Sequence, residues 1–160
     1  MEYNRNGVRI QLNKNNIARD GLEKLFHENG QKMAEICWKN GLRHGLSIRW
    51  WENGQKAFED CWQEGILHGT SCSWFEHGQK RYEKIFHDGK LKTATAWMPN
   101  GKKCTKTNIR NGHGTLVYYG EDGSENYTDY KYGMDTESRD YEMYKEENVS
   151  WFDSIKSLFS

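Results

Sequence analysis

The 160-residue chain predicts an all-β fold: a single elongated, twisted antiparallel sheet of stacked β-hairpin repeats, with a short C-terminal helix. Three observations carry the prediction. A pentapeptide recurs at a fixed period, a second glycine follows each recurrence, and apolar residues alternate between the glycines. Glu28-Asn29-Gly30-Gln31-Lys32 returns unchanged as Glu52-Asn53-Gly54-Gln55-Lys56, and with one change as Glu76-His77-Gly78-Gln79-Lys80. Looser copies stand at Pro99-Asn100-Gly101-Lys102-Lys103 and Glu121-Asp122-Gly123-Ser124-Glu125.

The spacing defines the unit. The pentapeptide glycines lie 24, 24, 23 and 22 residues apart; Gly41, Gly65, Gly89 and Gly112 follow at +11 and Gly133 at +10. Two turns in about 23 residues leave strands of roughly six to eight residues, which is a hairpin and not a helix. Asn6-Gly7 and Asp20-Gly21 read as a degraded opening copy. The clearest copies are 28–51, 52–75, 76–98 and 99–120, within an array over 1–134. The expected sheet has about ten to twelve strands from five or six hairpins, open at its ends and not closed into a barrel. In 135–160 an acidic linker precedes Trp151, Phe152, Ile155, Leu158 and Phe159, which share one face of a short amphipathic helix. That helix would cap the last hairpin or dock a partner.

The side chains form ladders. Leu46, Ile48 and Trp50 alternate before one Asn-Gly, and Phe58 and Trp62 alternate after it. A two-residue turn would place these groups on opposite faces. A three-residue turn with Gly54 in a left-handed bulge brings all five onto one face, and this register is the one expected.

Composition fits a sheet faced with aromatics. Hydrophobic residues are 35% of the chain while aromatics reach 14%, too polar for a thick aliphatic core and too aromatic for disorder. One proline and 16 glycines leave the turns to Gly, Asn and Asp. The zero net charge is split: residues 1–120 hold 19 Lys/Arg against 12 Asp/Glu, and residues 121–160 hold 4 against 11. A basic body with an acidic tail fits either a polyanion-binding surface or a tail folded back on the body. The first residues carry no apolar targeting segment and no stretch is long enough to span a membrane, so a cytoplasmic location is expected.

Trp50-Trp51-Glu52-Asn53-Gly54-Gln55-Lys56, followed by Trp62-Gln63-Glu64-Gly65-Ile66-Leu67-His68-Gly69, resembles the MORN repeat variant of bacterial proteins catalogued as YwqK-family antitoxins. The resemblance covers about residues 20–133. It weakens after Gly89, where Lys92-Thr93 replaces His-Gly and Asn111-Gly112-His113-Gly114 is shortened. It implies a single twisted antiparallel sheet of stacked hairpins and an antitoxin-type role.

Candidate chemistry is sparse. His44 and His68 are repeat equivalents, with His113 in a similar context. Equivalent positions lie about two strand spacings, roughly 10 Å, apart, so no metal is ligated by such a ladder and no metal site is expected. Cys37 and Cys61 are too far apart for a disulfide; Cys61 and Cys72, on neighbouring strands, are expected as free thiols. Glu35, Glu59 and Glu83 form a ladder, placed by the register opposite the tryptophans and alternating with Arg49, Trp51 and Phe75. A sheet face offers no pocket that would shift a carboxylate pKa, so neither catalysis nor a cofactor is expected. Trp51 and Phe75 are contact anchors if exposed, and otherwise cover the sheet or pack under the tail.

The expected function is protein binding through Arg49, Trp51, Glu59, Phe75 and Glu83, with a toxin or effector as partner and neutralisation by direct contact, as in an antitoxin or immunity protein. The alternative is a MORN-type scaffold that binds acidic lipid headgroups through the basic third and fourth copies. Nucleic acid is not favoured, although Lys80, Arg81, Lys84, Lys90, Lys92, Lys102, Lys103, Lys106 and Arg110 cluster there among Tyr82, Phe86 and Trp97.

Overall fold

The computed structural model describes residues 18–138, and all regular structure in that range is β. Seven strands run in chain order through one antiparallel sheet: β1 (Gly21–Phe26), β2 (Lys32–Lys39), β3 (Leu42–Trp50), β4 (Lys56–Gln63), β5 (Ile66–Trp74), β6 (Lys80–His87) and β7 (Lys90–Ala96). A second sheet holds β8 (Gly114–Tyr119), β9 (Glu125–Lys131) and β10 (Met134–Asp135). Among the described residues there is no helix, hence none long and apolar enough to cross a membrane. The helix expected over 151–159 and the opening Asn6-Gly7 turn lie outside the described residues.

The pentapeptide is a turn and a stacking device together. The Gly54 N–H donates to the Trp51 carbonyl at 2.9 Å and the Trp51 N–H to the Gln55 carbonyl at 2.8 Å. Gly54 takes a φ of 82°, which gives the three-residue turn with a left-handed glycine. Asn53 Oδ1 accepts the Gln55 N–H at 2.9 Å, and its Nδ2 donates to the Glu76 carbonyl of the next turn at 2.7 Å. Asn29 repeats both contacts one copy earlier. At the opposite edge, Asn40, Glu64 and Asp88 adopt φ of 51°, 50° and 49° before glycines at 77°, 84° and 74°, as two-residue type I′ turns. Each of these glycines donates one hairpin back: Gly41 to the Arg19 carbonyl at 2.7 Å, Gly65 to Arg43 at 2.9 Å and Gly89 to Leu67 at 2.8 Å.

The expected face assignment is corrected by a second irregularity. Trp50 pairs with Lys56 as the three-residue turn requires, but Arg49 then pairs with Phe58, so Ala57 is bulged out. Met33 and Arg81 are skipped in the same way between Phe26/Lys32 and Leu25/Ala34, and between Trp74/Lys80 and Ser73/Tyr82. One extra residue moves all that follows to the other face. Leu46 and Ile48 therefore lie opposite Cys61 and Glu59, while Phe58 and Trp62 share a face with Arg49 and Ser47. Glu35, Glu59 and Glu83 stand beside the tryptophans of β3 and β5, not opposite them. We call this side the lysine face and the other the arginine face.

The expected single sheet is likewise divided. After the Asn100-Gly101 turn only isolated bridges form: Trp97 with Lys103, Thr93 with Arg110, and Arg110 with His113. Polar side chains divert this backbone from strand pairing. Thr107 Oγ1 donates to the Val117 carbonyl at 2.7 Å, and Asn108 Oδ1 accepts the Thr115 N–H at 2.7 Å. The column of type I′ turns nevertheless continues across the break, with the Gly112 N–H on the Lys92 carbonyl at 3.0 Å and the Gly133 N–H on the Gly112 carbonyl at 2.9 Å. The second sheet is thereby brought against β6 and β7. The core sits there, built from Phe75, Leu91, Ala96, Cys104, Ile109, Leu116, Val117 and Tyr119.

Candidate binding surface

On the lysine face the repeat satisfies itself. Lys32, Lys56 and Lys80 pair with Glu35, Glu59 and Glu83 at 2.8, 2.6 and 2.7 Å. The same ammonium groups stand over aromatic rings, Lys32 at 4.8 Å from Trp50, Lys56 at 5.1 Å from Trp74 and Lys80 at 5.6 Å from Trp97. Glu59 and Glu83 are thus parts of a Lys–Glu–Trp ladder that recurs with the hairpin. The Cys72 thiol reaches Glu83 at 3.9 Å, and burial pushes its pKa up. Because the Lys56–Glu59 pair is half in water, Glu59→Gln should lower the unfolding free energy by only about 0.5 kcal/mol, measured by urea denaturation. A loss of about 2 kcal/mol or more would mean that the ladder carries more than an exposed pair does.

The arginine face holds the other three predicted residues, in different surroundings. The Arg49 guanidinium lies 4.3 Å from the centre of Phe58 and 3.4 Å from Asp60, which also accepts the Ser71 hydroxyl at 2.7 Å. Trp51 is half-buried, with its ring 6.4 Å from Phe58 and its indole N–H on the Trp74 carbonyl at 3.3 Å. Phe75 is 0% exposed and belongs to the core, so it offers a partner no surface. The five residues named from the sequence do not form one patch: Glu59 and Glu83 face one way, Arg49, Trp51 and Phe75 the other.

The N-terminal half of the arginine face is not covered by the second sheet and carries a column of alternating cations and indoles. Arg19 stands 5.3 Å from Trp38; Arg43 stands 5.9 Å from Trp38 and 4.8 Å from Trp62. These residues, with Glu23, Leu25, Ile36 and Leu42, line a depression of ≈ 440 Å³. Glu23 accepts the Trp38 indole N–H at 2.9 Å. One hairpin on, Ser47 stands in place of Glu23, and both Ser47 Oγ and Trp62 Nε1 are buried without a hydrogen-bond partner. No carboxylate of the described residues pairs with Arg43.

Towards β6 the same face is closed. Tyr82 and Lys84 lie under Tyr118 and Tyr130, with Phe58 and Arg81 at the margin of a ≈ 310 Å³ cavity. Burial lowers the Lys84 pKa and raises that of Tyr82, and Tyr130 is pushed up to about 12 by burial and then by Asp135. Lys84 keeps its ammonium 4.4 Å from the Tyr82 ring.

The expected register put Trp62 on one apolar face with Leu46, Ile48 and Trp50, and no role was expected for Arg43. The 24-residue recurrence of Arg19 and Arg43, each just before Asp20-Gly21 or His44-Gly45, was the available signal.

A family model described as the MORN repeat variant matches residues 19–40 and 43–64. These two segments are MORN-like repeats, each running from an Arg of the column through the Asn-Gly turn to the end of the next strand. No curated protein matches the chain.

Proposed function

We propose that the chain is a non-catalytic protein-binding repeat module, holding a partner of the toxin or effector kind against the open half of its arginine face, as an antitoxin or immunity protein would. One observation carries the reading: Arg43 is held between Trp38 and Trp62 with no carboxylate partner among the described residues. Trp and Arg are the residue types that dominate protein interfaces, and a guanidinium fixed by two indoles is preorganised for a bidentate carboxylate. The partner surface is therefore acidic, with an apolar margin to meet Leu25 and Ile36.

The test is recovery of the partner from native lysate on the tagged chain, read by mass spectrometry. One stoichiometric protein is expected, retained by Glu83→Gln and lost with Arg43→Ala. Retention by Arg43→Ala would sink the proposed surface. The antitoxin role further requires that co-expression of the chain relieve growth arrest caused by that protein.

A scaffold that binds acidic lipid is the second reading. It draws support from Lys90, Lys92, Lys102, Lys103 and Arg110, all exposed and without a carboxylate partner among the described residues. Salt-sensitive sedimentation with phosphatidylserine vesicles, unaffected by Arg43→Ala, would favour it.

A further inference from the structure

We propose that His68, His87 and Asp88 form a site for a divalent transition-metal ion, zinc being the reference case. His68 lies in β5 just before Gly69, His87 ends β6, and Asp88 is the first residue of the type I′ turn between β6 and β7. Their ligand atoms all lie within 4.8 Å of one another. The Asp88 carboxylate is flanked by both imidazoles, with His68 Nδ1 at 3.1 Å from one oxygen and His87 Nδ1 at 3.0 Å from the other. Zinc bonds of about 2.0–2.2 Å set neighbouring ligand atoms of a tetrahedron about 3.4 Å apart, so both N···O distances are already near that value. The two rings stand 4.9 Å apart, centre to centre.

The backbone fixes this arrangement. The Gly89 N–H donates to the Leu67 carbonyl at 2.8 Å, which sets the Asp88 turn directly over His68. The Asp88 N–H is also 3.4 Å from His68 Nδ1, a long contact that metal ligation would replace. Two imidazoles and one carboxylate suit Zn²⁺, Ni²⁺ or Co²⁺, whereas Mg²⁺ and Ca²⁺ require oxygen ligands. Three protein ligands leave a coordination position towards solvent, open to water or to a partner's side chain.

The distance that excludes a ladder of equivalent histidines does not apply, because these ligands come from inequivalent positions of adjacent hairpins. The preceding copy supplies an internal contrast. His44 is equivalent to His68 and the Gly65 N–H holds the Arg43 carbonyl at 2.9 Å, but Gln63 and Glu64 replace His87 and Asp88. The same backbone there lacks an imidazole. The alternative occupant of the cluster is nothing at all, the three side chains forming surface His–Asp ion pairs.

Calorimetric titration of the full chain with zinc, and separately with magnesium, distinguishes the two. One equivalent of zinc is expected, with no magnesium uptake. His87→Gln copies the residue of the neighbouring hairpin, and Asp88→Asn suits a left-handed turn, so neither endangers the fold. Each should weaken zinc at least about tenfold. The double substitution Gln63→His with Glu64→Asp should add a second equivalent beside His44. A chain that takes up no zinc at millimolar concentration, or one whose uptake both single substitutions leave unchanged, overturns the site. Equal uptake of magnesium, or no second equivalent in the double substitution, would also overturn it.

Discussion

Replacing Phe75 with alanine is expected to remove about 3–5 kcal/mol from the unfolding free energy, the range for deleting a buried aromatic ring. The side chain is 0% exposed and lies where the second sheet meets β6 and β7, among Leu91, Leu116 and Tyr119. Its loss leaves a cavity at the junction of two sheets, which relaxes less readily than one at a margin. The Arg81 guanidinium, 5.8 Å from Phe75 and 5.7 Å from Tyr118, also loses one of its two rings. Phe75→Leu fills most of the space and should lose only about 1–1.5 kcal/mol. Guanidinium denaturation of the three chains measures both values. An alanine variant within about 1 kcal/mol of the parent would mean that Phe75 is a surface residue, and would restore it as a contact anchor.

The second large effect is expected at Gly112. Its φ is 81°, and a Cβ there would lie 2.5 Å from Gly133 N and 2.9 Å from both Gly133 Cα and Leu91 O. These are backbone atoms and cannot swing aside. Gly112→Ala therefore carries the left-handed penalty of about 1–2 kcal/mol. It also disrupts the Gly133-to-Gly112 and Leu91-to-Gly133 hydrogen bonds, worth about 1 kcal/mol each. About 3–4 kcal/mol in all is expected. Gly30 makes the control, with a φ of 82° and nothing within 4 Å of its Cβ position. Gly30→Ala should lose only the left-handed part, so the difference between the two melting transitions isolates the crowding. Equal losses would show that the turn column is loose at the junction.

The hairpin period, the strand lengths and the left-handed glycine of the Asn-Gly turn were legible because each leaves a mark at fixed spacing. The bulge at Met33, Ala57 and Arg81 leaves none, since an extra residue present in every copy keeps the period intact. Its signal was chemical. Lys32/Glu35, Lys56/Glu59 and Lys80/Glu83 are three apart, on opposite faces of an unbroken strand, yet they form ion pairs. A recurring Lys-x-x-Glu within a strand thus implies a bulge between its ends. Missing it moved Glu59 and Glu83 to the wrong side and hid the Arg–Trp column. The division into two sheets was only half legible: the weakened copy after Gly89 was visible, but not that Thr107 and Asn108 would satisfy the next strand with side chains.

From β1 to β7 the contacts that join one hairpin to the next link residues about 22 or 23 apart, at both turn edges. Nearly every pairing is therefore local in sequence for so β-rich a molecule. Its contact order is low, and assembly can proceed by adding one hairpin to an existing edge without closing a long loop. The same locality makes copy number a neutral variable. Inserting or deleting one whole hairpin among the central copies presents each neighbour with an unchanged docking edge, so molecules of this type can lengthen or shorten in units of about 24 residues while both ends stay as they are.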